Sequence, residues 1–440
     1  MRRDETIYAL SSGRGRAGIA VFRISGPAAG RALETVTGRA LPIPRRAVLA
    51  DFLGRDGDGV VDRGLALWFP GPASATGEDL VELHGHGGRA VTEGILSALS
   101  AIEGLRAAEP GEFTRRAVEY GKLDLTAAEA VADLVDAETA RQREQALRQM
   151  SGTTAGLYED WRRRLLRVLA YVEAVLDFPD EEVPDTAALS ALSDAASVKA
   201  EIRAHLDDGH RGERLREGIR VTIVGAPNAG KSSLLNALAR RDVAIVADRP
   251  GTTRDILEVY LDLGGYPVLM TDTAGLREST DPVEIEGVRR ARWRAAESDI
   301  RLFVVDATDP VPPPSGDDPD RIVVWNKIDC LGEDTVDVLT GKAFAISARS
   351  GAGLSALLDG LSEAIAFRFA VGDAPALTRA RHREALERAV EAMGSLAEEK
   401  PLELVAEDLR MAVREIGRVT GAVDIEELLD VVFRDFCIGK

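Results

Sequence analysis

The stretch VTIVGAPNAGKSSLLNAL, residues 221–238, constrains the fold of this 440-residue chain more than any other. It satisfies the pattern G-x-x-x-x-G-K-[S/T], with an apolar strand-like run before it and a helix-like run after it. Gly225 and Gly230 allow backbone N–H groups to turn toward phosphate oxygens, and the helix N-terminus adds its dipole. Lys231 supplies a cation for the β- and γ-phosphates, and the Ser232 hydroxyl can ligate Mg²⁺. The sequence therefore predicts a strand–loop–helix unit that holds a nucleotide.

Two later motifs indicate which nucleotide it is. MTDTAG (residues 270–275) places Asp272 at the end of a predicted strand, where it can hold Mg²⁺ through water, while the Gly275 amide can contact the γ-phosphate. VVWNKID (residues 323–329) ends on Asp329, whose carboxylate can accept hydrogen bonds from N1–H and the N2 amino group of guanine. Because adenine lacks this donor pair, the carboxylate predicts selection of GTP over ATP.

A fourth motif, ISARSG (residues 346–351), completes the set. It predicts an Ala348 amide that faces the guanine O6, and it has Arg349 where lysine is more usual. Four motifs in this order predict a Ras-like P-loop GTPase domain. Leu276 follows DTAG, at the position where Ras-like GTPases carry the glutamine that orients the attacking water. Water must therefore be positioned by another group, or hydrolysis is slow.

Asn228, three residues before Lys231, occupies the position at which a subset of GTPases binds K⁺ together with backbone carbonyls of the first switch region. The stretch ADRPGTTRD (residues 247–255) is that switch, and its Thr253 is placed to ligate Mg²⁺. A turn-forming asparagine with no ligand role is the alternative. We predict that K⁺ stimulates hydrolysis and that Na⁺ does not.

Three sets of candidate residues follow from these motifs. The candidate catalytic groups among them are Asn228 and Lys231. The candidate metal ligands are Ser232, Thr253, Asn228, Ala247, Arg249 and Thr252. The candidate nucleotide contacts are Asn228, Ala229, Gly230, Lys231, Ser232, Ser233, Ala247, Asp248, Arg249, Pro250, Gly251, Thr252, Thr253, Asp272, Thr273, Ala274, Gly275, Asn326, Lys327, Asp329, Ser347, Ala348 and Arg349.

Composition changes along the chain indicate three kinds of segment. Residues 1–118 combine glycines, short apolar runs and turn signals, which is typical of an α+β domain. Residues 119–215 and 371–440 are rich in helix-forming residues, whereas residues 216–370 alternate between strand and helix patterns. The simplest account is an α/β domain inserted into a discontinuous helical domain, behind an N-terminal α+β domain.

The first helical segment also shows where its helices begin and which side is buried. Thr126, followed three residues later by Glu129, predicts a capping box at a helix N-terminus. Leu165, Leu169, Val172, Val175 and Leu176 recur at helical spacing and predict a buried stripe.

Charge and cysteine content limit the class of protein. The formal net charge is -18, so the average field of the chain repels nucleic acid, and a nucleic-acid substrate would need a local basic patch or a basic partner. Two cysteines, Cys330 and Cys437, cannot form a disulfide framework, and no run of 18 apolar residues is present. These features predict a soluble cytoplasmic protein.

Five stretches outside the GTPase motifs carry a family resemblance. They are FRISGPAA (22–29), ELHGHGG (82–88), PGEFTRRA (110–117), GKLDLTAAEAVADL (121–134) and FCIGK (436–440). With these stretches and this domain order, the chain resembles the MnmE (TrmE) family of tRNA-modifying GTPases over essentially its whole length.

The resemblance implies a function that residue spacing alone does not show. With a flavoprotein partner, MnmG (GidA), the family adds a carboxymethylaminomethyl or aminomethyl group at C5 of the wobble uridine of certain tRNAs. It implies a homodimer formed through the N-terminal domain, a heterotetramer with the flavoprotein, and tRNA held largely by that partner. The one-carbon unit comes from 5-formyl- or methylene-tetrahydrofolate bound to the N-terminal domain.

Four residues are implied as folate contacts by their match to the family's positions: Arg23, Glu82, Lys122 and, on the C-terminal tail, Lys440. The chemistry is consistent, because a pterin offers N–H donors to a carboxylate and a glutamyl tail offers carboxylates to arginine or lysine. Cys437 lies beside the same pocket by this resemblance, and its role as a nucleophile is left open.

Glu284 maps to the family's carboxylate that orients water indirectly, which would fill the position left by Leu276. Two other functions remain as alternatives at this point. One is a regulatory GTPase switch in RNA or ribosome assembly without modification chemistry, and the other is a stand-alone folate-dependent one-carbon transferase with a regulatory GTPase domain. Folate binding together with wobble-uridine modification separates all three.

Overall fold

In the computed structural model, the described residues are 5–55, 58–177, 185–245, 258–272, 298–311, 313, 318–332, 344–370, 372, 375–395, 400–423, 429, 432–433 and 436–439. They form two compact units. The first unit comprises residues 1–132, 149–196 and 391–440, and the second comprises residues 133–148 and 197–390. Within the described residues, no helix is both long and apolar enough to cross a lipid bilayer.

The first unit contains a six-stranded sheet in the order β3-β4-β5-β2-β1-β6. All its neighbouring strands are antiparallel except β1 and β6, which are parallel. The strands are β1 Thr6–Leu10, β2 Ala17–Ser25, β3 Val48–Leu53, β4 Val60–Phe69, β5 Leu80–Gly87 and β6 Leu105–Ala107.

One face of this sheet is covered by two helices, α1 Ala29–Thr37 and α2 Arg89–Ser100. Phe22, Ile24 and Leu83 point to that face and are fully buried. Because side chains alternate between faces along a strand, the residues between them point to the opposite face. That opposite face carries Arg23 and Glu82.

The remaining part of the first unit is helical, and one helix pair joins distant segments. The helices of this part and those that lead into the second unit are α3 Glu112–Glu119, α4 Leu125–Asp136, α5 Ala140–Met150, α6 Thr153–Asp177, α7 Asp185–Leu206, α11 Ala380–Ala392 and α12 Leu402–Thr420. Tyr158, Trp161 and Leu165 of α6 are buried, as are Leu409 and Ile416 of α12, which packs along α6.

The expectations for the first helical segment have mixed outcomes. Leu165, Leu169 and Val172 are buried as the stripe predicts, whereas Val175 and Leu176, near the end of α6, are only half-buried. The capping-box prediction is wrong, because the Asp124 carboxylate accepts the Ala127 N–H (2.9 Å) and the Thr126 hydroxyl (2.6 Å). Asp124 thus caps α4, and Thr126 lies inside the helix and is buried.

The second unit is built around a sheet in the order β12-β11-β10-β7-β9-β8. Its neighbouring strands are parallel except β8 and β9, which form an antiparallel pair. The strands are β7 Ile219–Gly225, β8 Glu258–Leu263, β9 Tyr266–Asp272, β10 Ile300–Asp306, β11 Arg321–Asn326 and β12 Phe344–Ala345. The helices α8 Arg211–Glu217, α9 Lys231–Ala239 and α10 Leu354–Phe369 accompany it.

The core of the second sheet is aliphatic and lies on one face, because alternate residues of each strand enter the same buried cluster. Val221 and Ile223 of β7, Leu235 of α9, and Leu357 and Leu361 of α10 are fully buried in one cluster. The predicted fold class, an α+β N-terminal domain with a discontinuous helical domain and a P-loop α/β domain, is confirmed. The predicted domain limits at residues 118, 215 and 370 stay predictions.

Candidate functional site

The loop from β7 to α9 contains two positions where the structure requires glycine. Gly225 has φ +149°, and a Cβ built on it would lie 2.2 Å from the Val304 carbonyl oxygen. Gly230 has φ +95°, and its Cβ would lie 2.2 Å from Asn326 Nδ2. Any side chain at either position would push the loop away from β10 or β11. The glycines therefore allow a close approach of neighbouring strands as well as a turn.

The side chains at the start of α9 lie where the motif predicts. Lys231 is buried, and its ammonium donates to the carbonyl oxygens of Gly225 (3.0 Å) and Ala226 (2.9 Å). Ser232 Oγ donates to Asp272 Oδ2 at 2.5 Å. The two residues predicted to hold Mg²⁺, directly and through water, are thus in contact although 40 positions separate them. Their hydroxyl and carboxylate oxygens are ligands that suit Mg²⁺.

Asn326 joins the two ends of the site. Its side chain is buried, Nδ2 donates to the Ala229 carbonyl (2.9 Å), and Oδ1 accepts the Ala348 N–H (3.0 Å). The phosphate loop and the loop after β12 are therefore fixed to each other through one amide group. The Ala348 N–H, which we expected to face guanine, donates to Asn326 in this structure, so a bound base would have to share or displace that hydrogen bond.

Asp329 is exposed on the turn after β11. A hydrogen bond from the Ser347 hydroxyl, together with the nearby Arg349 charge, holds the pKa of Asp329 below its ordinary value. The carboxylate is therefore ionised at neutral pH and can only accept hydrogen bonds. That is the property needed to pair with the two N–H donors of guanine.

Other candidate residues differ in how far they can be placed. Asn228 has φ +61° and is exposed at the tip of the phosphate loop, next to Ala229, which is buried. Ser233 is exposed on α9. The candidates at residues 247–253 and 273–275, together with Glu284 and Lys440, lie outside the described residues.

A second charged group lies on the face of the N-terminal sheet opposite α1 and α2, which α3 covers in part through Phe113. Arg23 on β2 and Glu82 on β5 are direct cross-strand neighbours, and the guanidinium donates to Glu82 Oε1 through Nη2 (2.7 Å) and Nε (3.2 Å). Burial acts to raise the pKa of Glu82, but the hydrogen bonds and charge of Arg23, followed by those of His84, outweigh it and lower the pKa. The structure thus brings two of the candidate folate contacts together.

Sequence reasoning missed two neighbours of this ion pair. His84 Nε2 lies 3.2 Å from Glu82 Oε2, so both carboxylate oxygens have a partner. The Phe113 ring on α3 lies beneath Arg23, with 5.8 Å from the guanidinium carbon to the ring centroid. The alternation in ELHGHGG could have indicated His84, because residues two apart on a strand share a face. No local pattern indicates Phe113.

Lys122 follows α3 and is exposed. A Cβ built on Gly77 would lie 3.4 Å from Lys122 Cε, which places the lysine beside the loop that precedes β5. Among the described residues, no hydrogen bond or ion pair joins Lys122 to Arg23 or Glu82. The third candidate contact is therefore near the end of α3 rather than in the ion pair.

The C-terminal tail, residues 436–439, is held against the same helix. Phe433 and Phe436 pack with Val118 and Leu125, and the Gly111 N–H donates to the Cys437 carbonyl (3.2 Å). The tail therefore contacts the chain at Gly111, which is two residues before Phe113 in the sequence. The ring of Phe113 lies beneath Arg23.

Comparison with known proteins covers both units. Residues 6–122 match the family model for the GTP-binding protein TrmE N-terminus, and residues 125–437 match the model for the MnmE helical domain. The chain is 54% identical to the tRNA modification GTPase MnmE of Paramagnetospirillum magneticum, over 99% of this chain and 100% of the relative. It is 46% identical to a mitochondrial 5-taurinomethyluridine-tRNA synthase subunit of Danio rerio, over 99% of this chain and 93% of the relative.

Among solved structures, that of an Era variant from Aquifex aeolicus bound to GDP and AlF4⁻ is 28% identical, covering 42% of this chain and 69% of its own. Its TM-score of 0.25 is too low to carry an argument. The two family models and the full-length identity are sufficient by themselves to assign the family. The chain belongs to the MnmE family of tRNA modification GTPases.

Proposed function

We propose that this protein hydrolyses GTP to drive modification at C5 of the wobble uridine of tRNA, with a one-carbon unit taken from a tetrahydrofolate derivative held by the N-terminal domain. The observation that carries the proposal is the 54% identity over 99% of the chain to a tRNA modification GTPase. The uridine named in the description of the Danio rerio relative supports the choice of base.

The nucleotide half of the proposal is supported by the carboxyl edge of the second sheet. Asp329 accepts hydrogen bonds from guanine, Lys231 neutralises the β- and γ-phosphates, and Asn326 keeps the two ends of the pocket at a fixed separation. The contact between Ser232 and Asp272 fits one Mg²⁺, which would neutralise developing charge on the transferred phosphoryl group.

K⁺ binding and water positioning complete the nucleotide half of the proposal. Asn228 is exposed at the tip of the phosphate loop and has an amide oxygen that can ligate K⁺, with carbonyls of residues 247–252 as the other ligands. Glu284 orients the attacking water in place of the missing glutamine at Leu276. If Glu284→Ala retained full hydrolysis, this role would have to pass to another group.

The folate half of the proposal is supported by the face of the N-terminal sheet that carries Arg23 and Glu82. Glu82 accepts hydrogen bonds from the pterin, and Arg23 or Lys122 pairs with the glutamyl carboxylates. Lys440 reaches the cofactor from the tail, whose residues 436–439 are held against α3 close to Phe113. Bound there, the folate supplies the one-carbon unit, and these residues orient it.

Partners follow from the family and are consistent with the charge distribution. Residues 1–118 carry 15 Lys and Arg against 14 Asp and Glu, so the rest of the chain, with 40 against 59, carries a net charge of -19. We infer a homodimer formed through the N-terminal domain and a heterotetramer with the flavoprotein MnmG, which supplies most tRNA contacts. The cytoplasm is the proposed location.

Reconstitution tests the proposed function directly. The protein is mixed with the flavoprotein, tRNA, GTP, Mg²⁺, K⁺ and a folate labelled in its one-carbon group, and the nucleosides are analysed by mass spectrometry. Label in the C5 substituent of the wobble uridine is expected. GTP hydrolysis with unmodified tRNA would favour a regulatory switch, and label transfer without GTP would favour a stand-alone one-carbon transferase.

A further inference from the structure

Lys327 is held at both ends in the nucleotide site. Its backbone has φ +69° and leads into the short 3₁₀ turn Ile328–Cys330. Its ammonium forms an ion pair with Asp306 Oδ2 at 2.5 Å, and the two side chains are 34% and 17% exposed. With the backbone and the charged tip both fixed, the four-carbon stem between them has little rotational freedom.

Asp306 is itself fixed by a second set of donors. Its Oδ1 accepts the Thr308 N–H (2.9 Å) and the Thr308 hydroxyl (2.6 Å). Burial acts to raise the pKa of Asp306, but the hydrogen bonds from Lys327 and Thr308 lower it to about 2. The carboxylate is therefore ionised at neutral pH, and the two Thr308 donors hold Oδ1 in place while Oδ2 pairs with Lys327.

The pair lies between the phosphate end and the base end of the pocket. Asp306 is the last residue of β10 and pairs across the sheet with Asn326 of β11. The Asn326 side chain contacts the phosphate loop, and Asp329, two residues after Lys327, carries the carboxylate for guanine. The stem of Lys327 is thus an apolar surface next to the place where a flat base binds.

We propose that Asp306 is a positioning residue for the guanine nucleotide, because it holds Lys327 extended along the pocket before the nucleotide arrives. This proposal rests on the nucleotide site of the proposed function. A lysine without that anchor would lose its rotational freedom only on binding, and ordering one long side chain weakens affinity about tenfold. The loss appears in the rate of nucleotide dissociation.

A matched control is available on the same strand. Asp318 pairs with Arg301 at 2.6 Å, and these side chains are 25% and 33% exposed. Arg301 is near the start of β10, at the opposite end from Asp306. Removal of Asp318 therefore removes an ion pair of similar geometry from the same sheet without contact with the nucleotide edge.

The experiment measures affinity and dissociation of a fluorescent GDP analogue with the full-length chain at fixed Mg²⁺ and salt. Asp306→Ala is expected to weaken binding about tenfold through faster dissociation, whereas Asp318→Ala changes it less than about twofold. Asp306→Asn keeps one acceptor oxygen, which can serve Lys327 or Thr308 but not both, so its affinity is expected to lie between the two. It also serves as the second variant if Asp306→Ala does not fold.

A double-mutant cycle with Lys327→Ala separates positioning from general damage. If Asp306 acts through Lys327, adding Asp306→Ala to Lys327→Ala causes little further loss. The same fold-loss in both backgrounds, or a single Asp306 variant within twofold of the parent, would overturn the proposal. Failure of the unaltered protein to bind guanine nucleotides would instead refute the proposed function.

Discussion

The two six-stranded sheets of this protein hold their charged side chains at different places. In the second sheet, Asp272 and Asp306 lie at the carboxyl ends of parallel strands, and Lys327 follows the next strand. In the N-terminal sheet, Arg23 and Glu82 lie within antiparallel strands and project from the face opposite α1 and α2. The first arrangement builds a site from loops at one edge, and the second builds a site from strand register.

The difference has a consequence for how each site can be damaged. The edge site is the nucleotide site at the carboxyl ends of the second sheet's parallel strands. It loses ligand contacts when one loop residue changes, while the sheet behind it stays packed. The face site is the pair Arg23 and Glu82 on the N-terminal sheet. Its neighbours also support the sheet, so effects of a mutation on ligand binding are harder to distinguish from effects on stability. The following changes test that contrast, beginning with the largest expected effect.

The largest effect is expected at the edge site. Asp329→Ala removes the acceptor of both guanine N–H donors and should weaken GTP binding about 10⁴-fold, because a site built to hydrogen-bond a ligand discriminates strongly when a partner is missing. Calorimetry with GTP and with 5-formyl-tetrahydrofolate provides the measurement. Folate binding and thermal stability should be unchanged, and a parallel loss of both ligands would contradict separate sites.

The next largest effect is expected on the free energy of unfolding, from the buried ion pairs of Arg116 in the N-terminal domain. Arg116 is 4% exposed and bridges Glu78 (2.9 Å) and Glu112 (3.1 Å), so Arg116→Met leaves buried carboxylates without this cation. We expect the free energy of unfolding to fall by about 3–5 kcal/mol. The control is Arg63→Met, whose partner is the exposed Asp51 on the same sheet, and its cost should be below about 1 kcal/mol. Denaturant titration of both variants measures the two losses of unfolding free energy. Equal losses would show that burial of the ion pair does not determine the size of the effect.

The two units should lose stability at different pH values as the solution is acidified. Burial is the main cause that lowers the pKa of His205, in the second unit, to about 4, so the folded state keeps it neutral while the unfolded state binds a proton below about pH 6.5. Up to about 3 kcal/mol of stability should be lost as pH falls from 6.5 to 4. The lowered pKa of Glu82 affects stability only at more acidic pH. Its stabilising contribution persists above about pH 4.5 and is lost below it.

Hydrogen exchange at pH 7.5 and pH 5.5 measures this contrast. Protection should fall around residues 197–217 at pH 5.5 and remain along β5. His205→Gln should remove the change in the second unit. Equal loss of protection in both units, or an unchanged loss in the variant, would refute this assignment.

The smallest of these effects is expected at the face site itself. Glu82→Gln keeps the size of the side chain and one acceptor but removes the charge, so 5-formyl-tetrahydrofolate should bind about tenfold more weakly. GTP affinity should be unchanged. Glu93→Gln, at an exposed ion pair on α2, is the matched control, and it should alter neither affinity.

Much of the edge site was predictable because its parts are contiguous in sequence. The end of each parallel strand and the loop after it appear as a single motif, so contact between Ser232 and Asp272 followed from two motifs and the fold class. Asp306 ends its apolar strand as Asp272 does, so the same signal was available for it. The Asn326–Ala348 hydrogen bond was not predictable, since it depends on the exact separation of two loops.

Less of the face site could be read from residues alone. Arg23 and Glu82 are 59 positions apart, and only the register of β2 against β5 makes them neighbours. Phe113 reaches Arg23 from a helix, which no periodicity in either strand indicates. The family resemblance supplied both charged residues, while their pairing required the structure.

The central claim is that GTP hydrolysis at the edge site and folate chemistry at the face site serve one tRNA modification. Wobble-uridine analysis by mass spectrometry, in a deletion strain that expresses Asp329→Ala, Glu82→Gln or Asp318→Ala, tests it most directly. We expect modification to be lost or strongly reduced with the first two variants and normal with the third. Normal modification with either Asp329→Ala or Glu82→Gln would contradict the claim.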